Sequence, residues 1–274
     1  MTSERIPAVL SVAGSDSGGG AGIQADLKAF ARVGVHGMTA ITAITAQNTV
    51  GVDAVEAVSG EMIYAQIAAV AEDIGVDAVK IGMVGNTEAI ESVVAALTAL
   101  LKGDPPVVID PVMISESGSV LLDPGAREAL AGRLLPLATV VTPNIPEARA
   151  LTGMGEEATQ AELARALVEM GAKAAVVTGG HSDEVVDVFY DGAEVVEIPG
   201  ERHPEGAAHG SGCTHSSSLA AYLALGWSPL AAAVGARELT SEAVRDGLRE
   251  IGSGAGPVDA FGLDRSRDDA EVTR

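Results

Sequence analysis

Residues 8–30 read AVLSVAGSDSGGGAGIQADLKAF, and this stretch decides the fold class. Ala8 to Ala13 carry no charge, as a strand buried on both faces requires. Glycine and small polar residues then crowd into Gly14–Gly22, a loop signal. From Ile23 to Val33 the apolar residues return at helical spacing. A strand, a glycine loop and a helix make the first half of a βαβ unit.

Outward from this unit the alternation continues. Strands are predicted over 38–46, 77–84, 105–113, 138–144 and 172–180, and helices over 62–74, 89–101, 124–135 and about 160–170. VVDVFY (185–190) and AEVVEIP (193–199) flank Asp191-Gly192 and predict a hairpin. Two more helices are expected over 211–225 and 229–248. Alternation of this kind implies an α/β fold with a mostly parallel sheet covered on both faces. No linker or internal repeat interrupts it, so a single domain is expected over 1–262, with a charged, frayed tail over 263–274.

Composition narrows the function classes. Hydrophobic residues make up 47% of the 274 residues and aromatics only 3%, so the core must be built from Ala, Val, Leu and Ile. A net charge of -21 with so few aromatics argues against a nucleic-acid reader, which needs a basic face and stacking platforms. No stretch is long and apolar enough for a membrane span. The single cysteine, Cys213, rules out an internal disulfide and a Cys-rich zinc site and fits a reducing cytoplasm.

In parallel sheets ligands gather at the carboxyl ends of the strands. The unusual residues follow predicted strands at 14–20, 82–86, 110–118, 142–147 and 178–183, all on one edge. The Gly14–Gly22 loop lacks the Gly-Lys-Ser/Thr of a P-loop and the last glycine of a dinucleotide fingerprint. It either presents N–H groups to a ligand or is a tight turn. His209-Gly210-Ser211-Gly212-Cys213-Thr214 opens a helix, where backbone N–H groups make an anion site. There the Cys213 thiol is expected to be acidified by the first turn; close packing of small residues is the plainer alternative. Asp110, Asn144 and Glu147 lie just past apolar strands. They suit magnesium, or Asn144 caps a helix with Glu147 as its partner three residues on. Gln47 ends the second strand, and its carboxamide either reads the edge of a heteroaromatic ring or bonds to backbone. Thr178-Gly179-Gly180-His181 ends another strand, with His181 read as structural.

Taken in order, SVAGSDSGGGAGIQADLKAF, TAITAQNTVGV, KIGMVG, VIDPVM, TPNIPEA, TGGH and HGSGCT resemble the hydroxymethylpyrimidine/phosphomethylpyrimidine kinases of the ribokinase-like superfamily. The resemblance spans residues 8–260. It implies a three-layer αβα sandwich that uses ATP and Mg²⁺. The implied reaction phosphorylates 4-amino-5-hydroxymethyl-2-methylpyrimidine and then its monophosphate, in thiamine biosynthesis. It implies Gln47, Gly14, Asp26 and Met83 around the pyrimidine. It implies Gly210, Ser211 and Gly212 as the anion hole, with Cys213 as the base facing the hydroxyl. Asp110 and Glu147 lie at the metal, and Asn144, Thr178 and Gly180 on the ATP side. It further implies a cytoplasmic homodimer with neither nucleic-acid nor membrane partners. Two departures stand out: Thr178 replaces a lysine common in the family, and Ser211 replaces a common threonine. Pyridoxal phosphorylation and a non-catalytic precursor-binding role are the alternatives. A chain this acidic repels free ATP, so backbone donors, a helix N-terminus and a divalent cation must hold it.

Overall fold

The computed structural model describes residues 5–114, 118, 121–123, 125–180 and 185–263. The strands are β1 (Ala8–Ala13), β2 (His36–Ile41), β3 (Ala43–Gln47), β4 (Val52–Ala57), β5 (Ala78–Ile81), β6 (Val107–Ile109), β7 (Val140–Val141), β8 (Ala175–Val177), β9 (Val186–Tyr190) and β10 (Val195–Pro199). The helices are α1 (Gly22–Val33), α2 (Gly60–Asp73), α3 (Thr87–Leu100), α4 (Ala126–Ala129), α5 (Ile145–Thr152), α6 (Gln160–Glu169), α7 (Ser211–Ala224) and α8 (Pro229–Arg245).

Eight strands form one sheet in the order β10-β9-β8-β7-β6-β5-β1-β2. From β2 to β8 neighbours pair in parallel; β9 and β10 add an antiparallel edge. Because side chains alternate across a strand, Leu10, Val12, Val79 and Ile81 face one core while Val9, Ala78, Val108 and Val140 face the other. Ile63 and Ile67 of α2, Val93 and Leu97 of α3, and Leu163 and Leu167 of α6 fill the first. Phe30 of α1, Leu219 of α7 and Ala232 and Ala236 of α8 fill the second. The result is the expected three-layer αβα sandwich, and the parallel strands point their carboxyl ends at one rim.

Three expectations change. The strand expected over 38–46 is two strands that part at Thr42. Its N–H donates to Ala13 O (3.1 Å) and its hydroxyl to Met83 O (2.6 Å), so the chain turns there. β3 leaves the main sheet and pairs antiparallel with β4, which the periodicity does not reveal because residues 53–57 are all exposed. The helix expected over 124–135 keeps α-geometry only in α4, then loosens into a π turn (Leu130–Leu134) and a 3₁₀ turn (Leu135–Leu137) where Pro136 stands. Helix α5, anticipated only as a capping possibility, is present and has a full capping box from Asn144 and Glu147. The tail beyond Leu263 and His181 lie outside the described residues. Among the described residues, no helix is long and apolar enough to cross a membrane.

Candidate active site

The first glycine loop is held shut by one carboxylate. Asp16, almost fully buried, accepts the N–H groups of Gly18 (2.8 Å), Gly20 (3.0 Å) and Ala21 (2.8 Å) and lies 3.0 Å from His209 Nε2. Burial pushes its pKa up, but the His209 contact and these N–H donors outweigh that and hold it below the usual carboxylate range. Three donors that precede them in the chain are also placed. Gly14 N–H reaches Met83 O (3.1 Å), Ser15 N–H reaches Ala43 O (2.9 Å) and Asp16 N–H reaches Gln24 Oε1 (2.8 Å). The loop is therefore a tight turn, and the expectation that it offers N–H groups to a ligand fails at each of these positions.

The second turn is different. Helix α7 starts at Ser211 after Gly210, which has φ 84° and supplies no side-chain cap. A side chain at Gly210 would collide with the carbonyl of Gly20, so glycine here is a demand of packing between the two turns. Thr214 N–H makes the first helical bond, to Gly210 O (2.9 Å). The preceding N–H groups, of Gly212 and Cys213, are those a helix start leaves for a ligand.

Both turns border a cavity of about 800 Å³ whose lining includes Gly14, Gln47, Met83, Asp110, Glu147 and Cys213. Gln47 is half-buried at the end of β3. Ser17 Oγ bonds its backbone twice, accepting its N–H (2.8 Å) and donating to its carbonyl (2.6 Å). Asn144, Thr178 and Gly180 line the cavity as well. Asn144 Oδ1 is committed to Glu147 N–H (2.9 Å), and Thr178 N–H to Pro143 O (2.9 Å). Asp26 is the exception among the expected residues. It is fully buried, does not line the cavity, and accepts Lys80 Nζ (2.9 Å), Ser217 Oγ (2.6 Å) and Ser11 Oγ (2.6 Å). Its place is behind the wall, because a carboxylate this deep needs a cation and hydroxyls around it.

The electrostatics correct one expectation. Burial pushes the Cys213 thiol up to about 12, with Asp26 and Asp110 adding to it; Lys80 and the Gly22 N–H pull the other way and lose. The first-turn position alone does not make a thiolate, since acids nearby oppose the helix end. Burial also raises Asp110, against the pull of Lys80 and a 3.0 Å bond from Ser216 Oγ. Burial and the neighbouring Asp110 carry Glu147 to about 8. Asp110 thus makes ionisation of Glu147 harder, while Asp26 does the same to Asp110.

Sequence reading missed Lys80, Asp16, His209 and Ser216 as parts of the site. Lys80 left a usable sign, being the one charge in the buried strand Ala78–Ile81. Asp16 and His209 left none, because their contact joins residues 193 positions apart.

Residues 16–259 match the family described as phosphomethylpyrimidine kinase. The chain belongs to this family. It is 49% identical over 258 residues to the hydroxymethylpyrimidine/phosphomethylpyrimidine kinase of Rhizobium meliloti, covering 92% of this chain and 96% of that one. The Streptomyces coelicolor enzyme of the same name is 43% identical, with 92% and 94% covered. Among solved structures, the Staphylococcus aureus pyridoxal kinase with AMP-PCP and pyridoxal superposes with a TM-score of 0.85 at 34% identity, covering 96% of each chain. The Clostridium difficile phosphomethylpyrimidine kinase superposes with 0.76 at 43% identity, covering 88% of this chain and all of that one. Both solved kinases share the ribokinase-like fold of this chain.

Proposed function

We propose that this chain transfers the γ-phosphoryl group of ATP to the hydroxymethyl group of 4-amino-5-hydroxymethyl-2-methylpyrimidine, and then to the resulting monophosphate, in thiamine biosynthesis. The observation that carries the reading is the open N-terminal turn of α7, with the acid pair Asp110–Glu147 and the carboxamide of Gln47 lining the same cavity. Relatives at 42–49% identity bearing that name support it.

Gln47 would pair with the ring edge, between Gly14 and Met83. The N–H groups of Gly212 and Cys213 would face the transferring phosphoryl group, where charge builds and pre-aimed donors count most. Asn144, Thr178 and Gly180 would border the ATP phosphates. Mg²⁺ fits the acid pair: the cation usually takes one or two carboxylates and completes its shell with water and phosphate oxygens. Asp110 and Glu147 are pushed toward protonation in the chain alone, a cost that a cation between them removes. When bound, Mg²⁺ supplies charge neutralisation on the phosphates. Cys213 would face the acceptor hydroxyl, as a neutral thiol at rest and a proton acceptor only in its thiolate form. Loose phosphoryl transfer asks little of a base. The setting is read as cytoplasmic. The assembly is read as a homodimer.

ADP release with Mg²⁺ and the pyrimidine, its monophosphate or pyridoxal tests the reading. Turnover of both pyrimidine species above pyridoxal is expected. Pyridoxal is the second reading, favoured by the solved pyridoxal kinases that superpose well. Preference for pyridoxal would install it, and absence of turnover on all three would leave a binding protein.

A further inference from the structure

The strongest unassigned group is Lys80. It is fully buried, lines the cavity beside Cys213 and Asp110, and its ammonium lies 2.9 Å from Asp26 Oδ1. Burial lowers an ammonium pKa, but Asp26, Cys213 and Asp110 more than reverse this and keep it charged. The counter-ion is immobilised from three further elements. Asp26 sits on α1, Ser11 on β1 holds one oxygen (2.6 Å), and Ser217 on α7 shares the other (2.6 Å) with the lysine. Gly82 leaves room, since a side chain there would come within 2.7 Å of Lys80 Nζ. A buried ion pair adds little net stability compared with apolar residues of the same size. Four elements built around one cavity-lining cation therefore point to chemistry.

We propose that Lys80 is the fixed positive charge of the reaction centre, pinned by Asp26 so that it stabilises negative charge on Cys213 Sγ and on the acceptor oxygen facing it. Lys80 acts through Cys213 and is a positioning residue. Of the charged groups that act on the sulfur, Lys80 of β5 favours an anion there, and Asp26 of α1 and Asp110 after β6 oppose it. In the transfer, the thiolate takes the hydroxyl proton, the acceptor oxygen bonds to the γ-phosphorus, and the bond to the bridging oxygen breaks with its electrons leaving on ADP. The thiol proton then returns to solvent. Lys80 makes the thiolate, and the oxyanion formed as the proton leaves, less costly.

The idea rests on the reading of Cys213 given above, so its test includes a readout independent of turnover. Cys213 is the only cysteine and is partly exposed to the cavity, so its alkylation by iodoacetamide, followed by mass spectrometry on the full chain, reports thiolate directly. Lys80→Met is expected to slow alkylation about tenfold or more and lower kcat about 10²-fold, the loss typical of one pre-aimed electrostatic group, with the KM for ATP little changed. Asp26→Asn removes an opposing charge and is expected to speed alkylation. Lys80→Arg should recover part of both the alkylation rate and kcat. A merely structural ion pair gives another pattern: both Lys80→Met and Asp26→Asn loosen the site and speed alkylation together. That pattern, or an unchanged rate in Lys80→Met, overturns the proposal. If none of the three acceptors is phosphorylated while the opposite-sign alkylation shifts hold, the functional reading fails and the role of Lys80 stands.

Discussion

The turn at Gly14–Gly22 and the turn at His209–Cys213 both lead into a helix, both are rich in glycine and both border the cavity. They spend their backbone donors differently. In the first, Asp16 collects three N–H groups and carbonyls or Gln24 take others. In the second, Gly210 brings no capping side chain and Ser211 N–H is bonded to Ala208 O (2.9 Å), so Gly212 and Cys213 hold the positions whose N–H groups a helix start leaves without an internal partner. The two are pressed together: a side chain at Gly210 would collide with the Gly20 carbonyl, and one at Gly20 with the His209 ring. Glycine content is thus a poor guide to an anion site. What separates them is where the N–H bonds end, and that depends on a carboxylate such as Asp16 within reach.

The sharpest way to break this contrast is to remove a donor from each turn. Gly212→Pro deletes one N–H in the first helical turn, where proline is tolerated. It is expected to lower kcat about 10²- to 10³-fold, as loss of an oxyanion donor does elsewhere, with a small change in Tm. Gly212→Ala keeps the N–H and has open space for its methyl, so its kcat should stay near the parent value. Steady-state kinetics and thermal melts of the pair check this; equal losses in both would mean that the turn is only packing.

Asp16→Asn addresses the other side. It removes the charge that three N–H groups and His209 share and should cost about 2–4 kcal/mol in urea unfolding. Its kcat per folded molecule should fall less than that of Gly212→Pro. The reverse ranking would put the first loop at the phosphates.

A smaller effect is expected at Gln47, whose backbone Ser17 of the first turn anchors. Gln47→Ala should raise the pyrimidine KM by the equivalent of about 1–3 kcal/mol and leave the KM for ATP nearly unchanged. A fall in ATP affinity instead would move Gln47 to the other substrate.

The least dramatic shift concerns pH. Glu147 goes from an ordinary 4.5 to about 8, so between these values the folded chain holds a proton that the unfolded chain has lost. Stability without metal should therefore decline as pH rises through that window, since the folded state binds more protons. Added Mg²⁺ should raise the urea midpoint more at pH 8 than at pH 5. An equal gain at both would remove the acid pair from the metal site and leave Glu147 its capping role.

Much of the fold was legible because local chemistry and tertiary demand agree. The β1–loop–α1 unit follows from its change of period. The hairpin β9–β10 follows from Asp191, whose side chain accepts the N–H groups of Ala193 and Glu194 (both 3.0 Å). The β3–β4 pair was illegible because β4 is exposed on both faces and so carries no alternation. At the site, residue types and strand-end positions placed Gln47, Asp110, Glu147 and the α7 turn on one cavity. The protonation of Cys213 could not be read this way, since it is set first by burial and then by Lys80, Asp26 and Asp110, all distant in sequence. Asp26 shows the converse: a helix α1 acid in the right motif that packing turned inward.

One consequence follows from β3 leaving the main sheet. Gln47 rides on a two-stranded appendage, whereas Lys80 lies on a central strand and Asp110, Glu147 and the α7 turn sit at its rim. One wall of the proposed ring site is thus carried on a pair of strands apart from the main sheet, while Gly14 and Met83 on its other side belong to the main-sheet body. Substitutions on β3–β4 would therefore reach the ring edge of the proposed site without touching Lys80, Asp110 or the α7 turn.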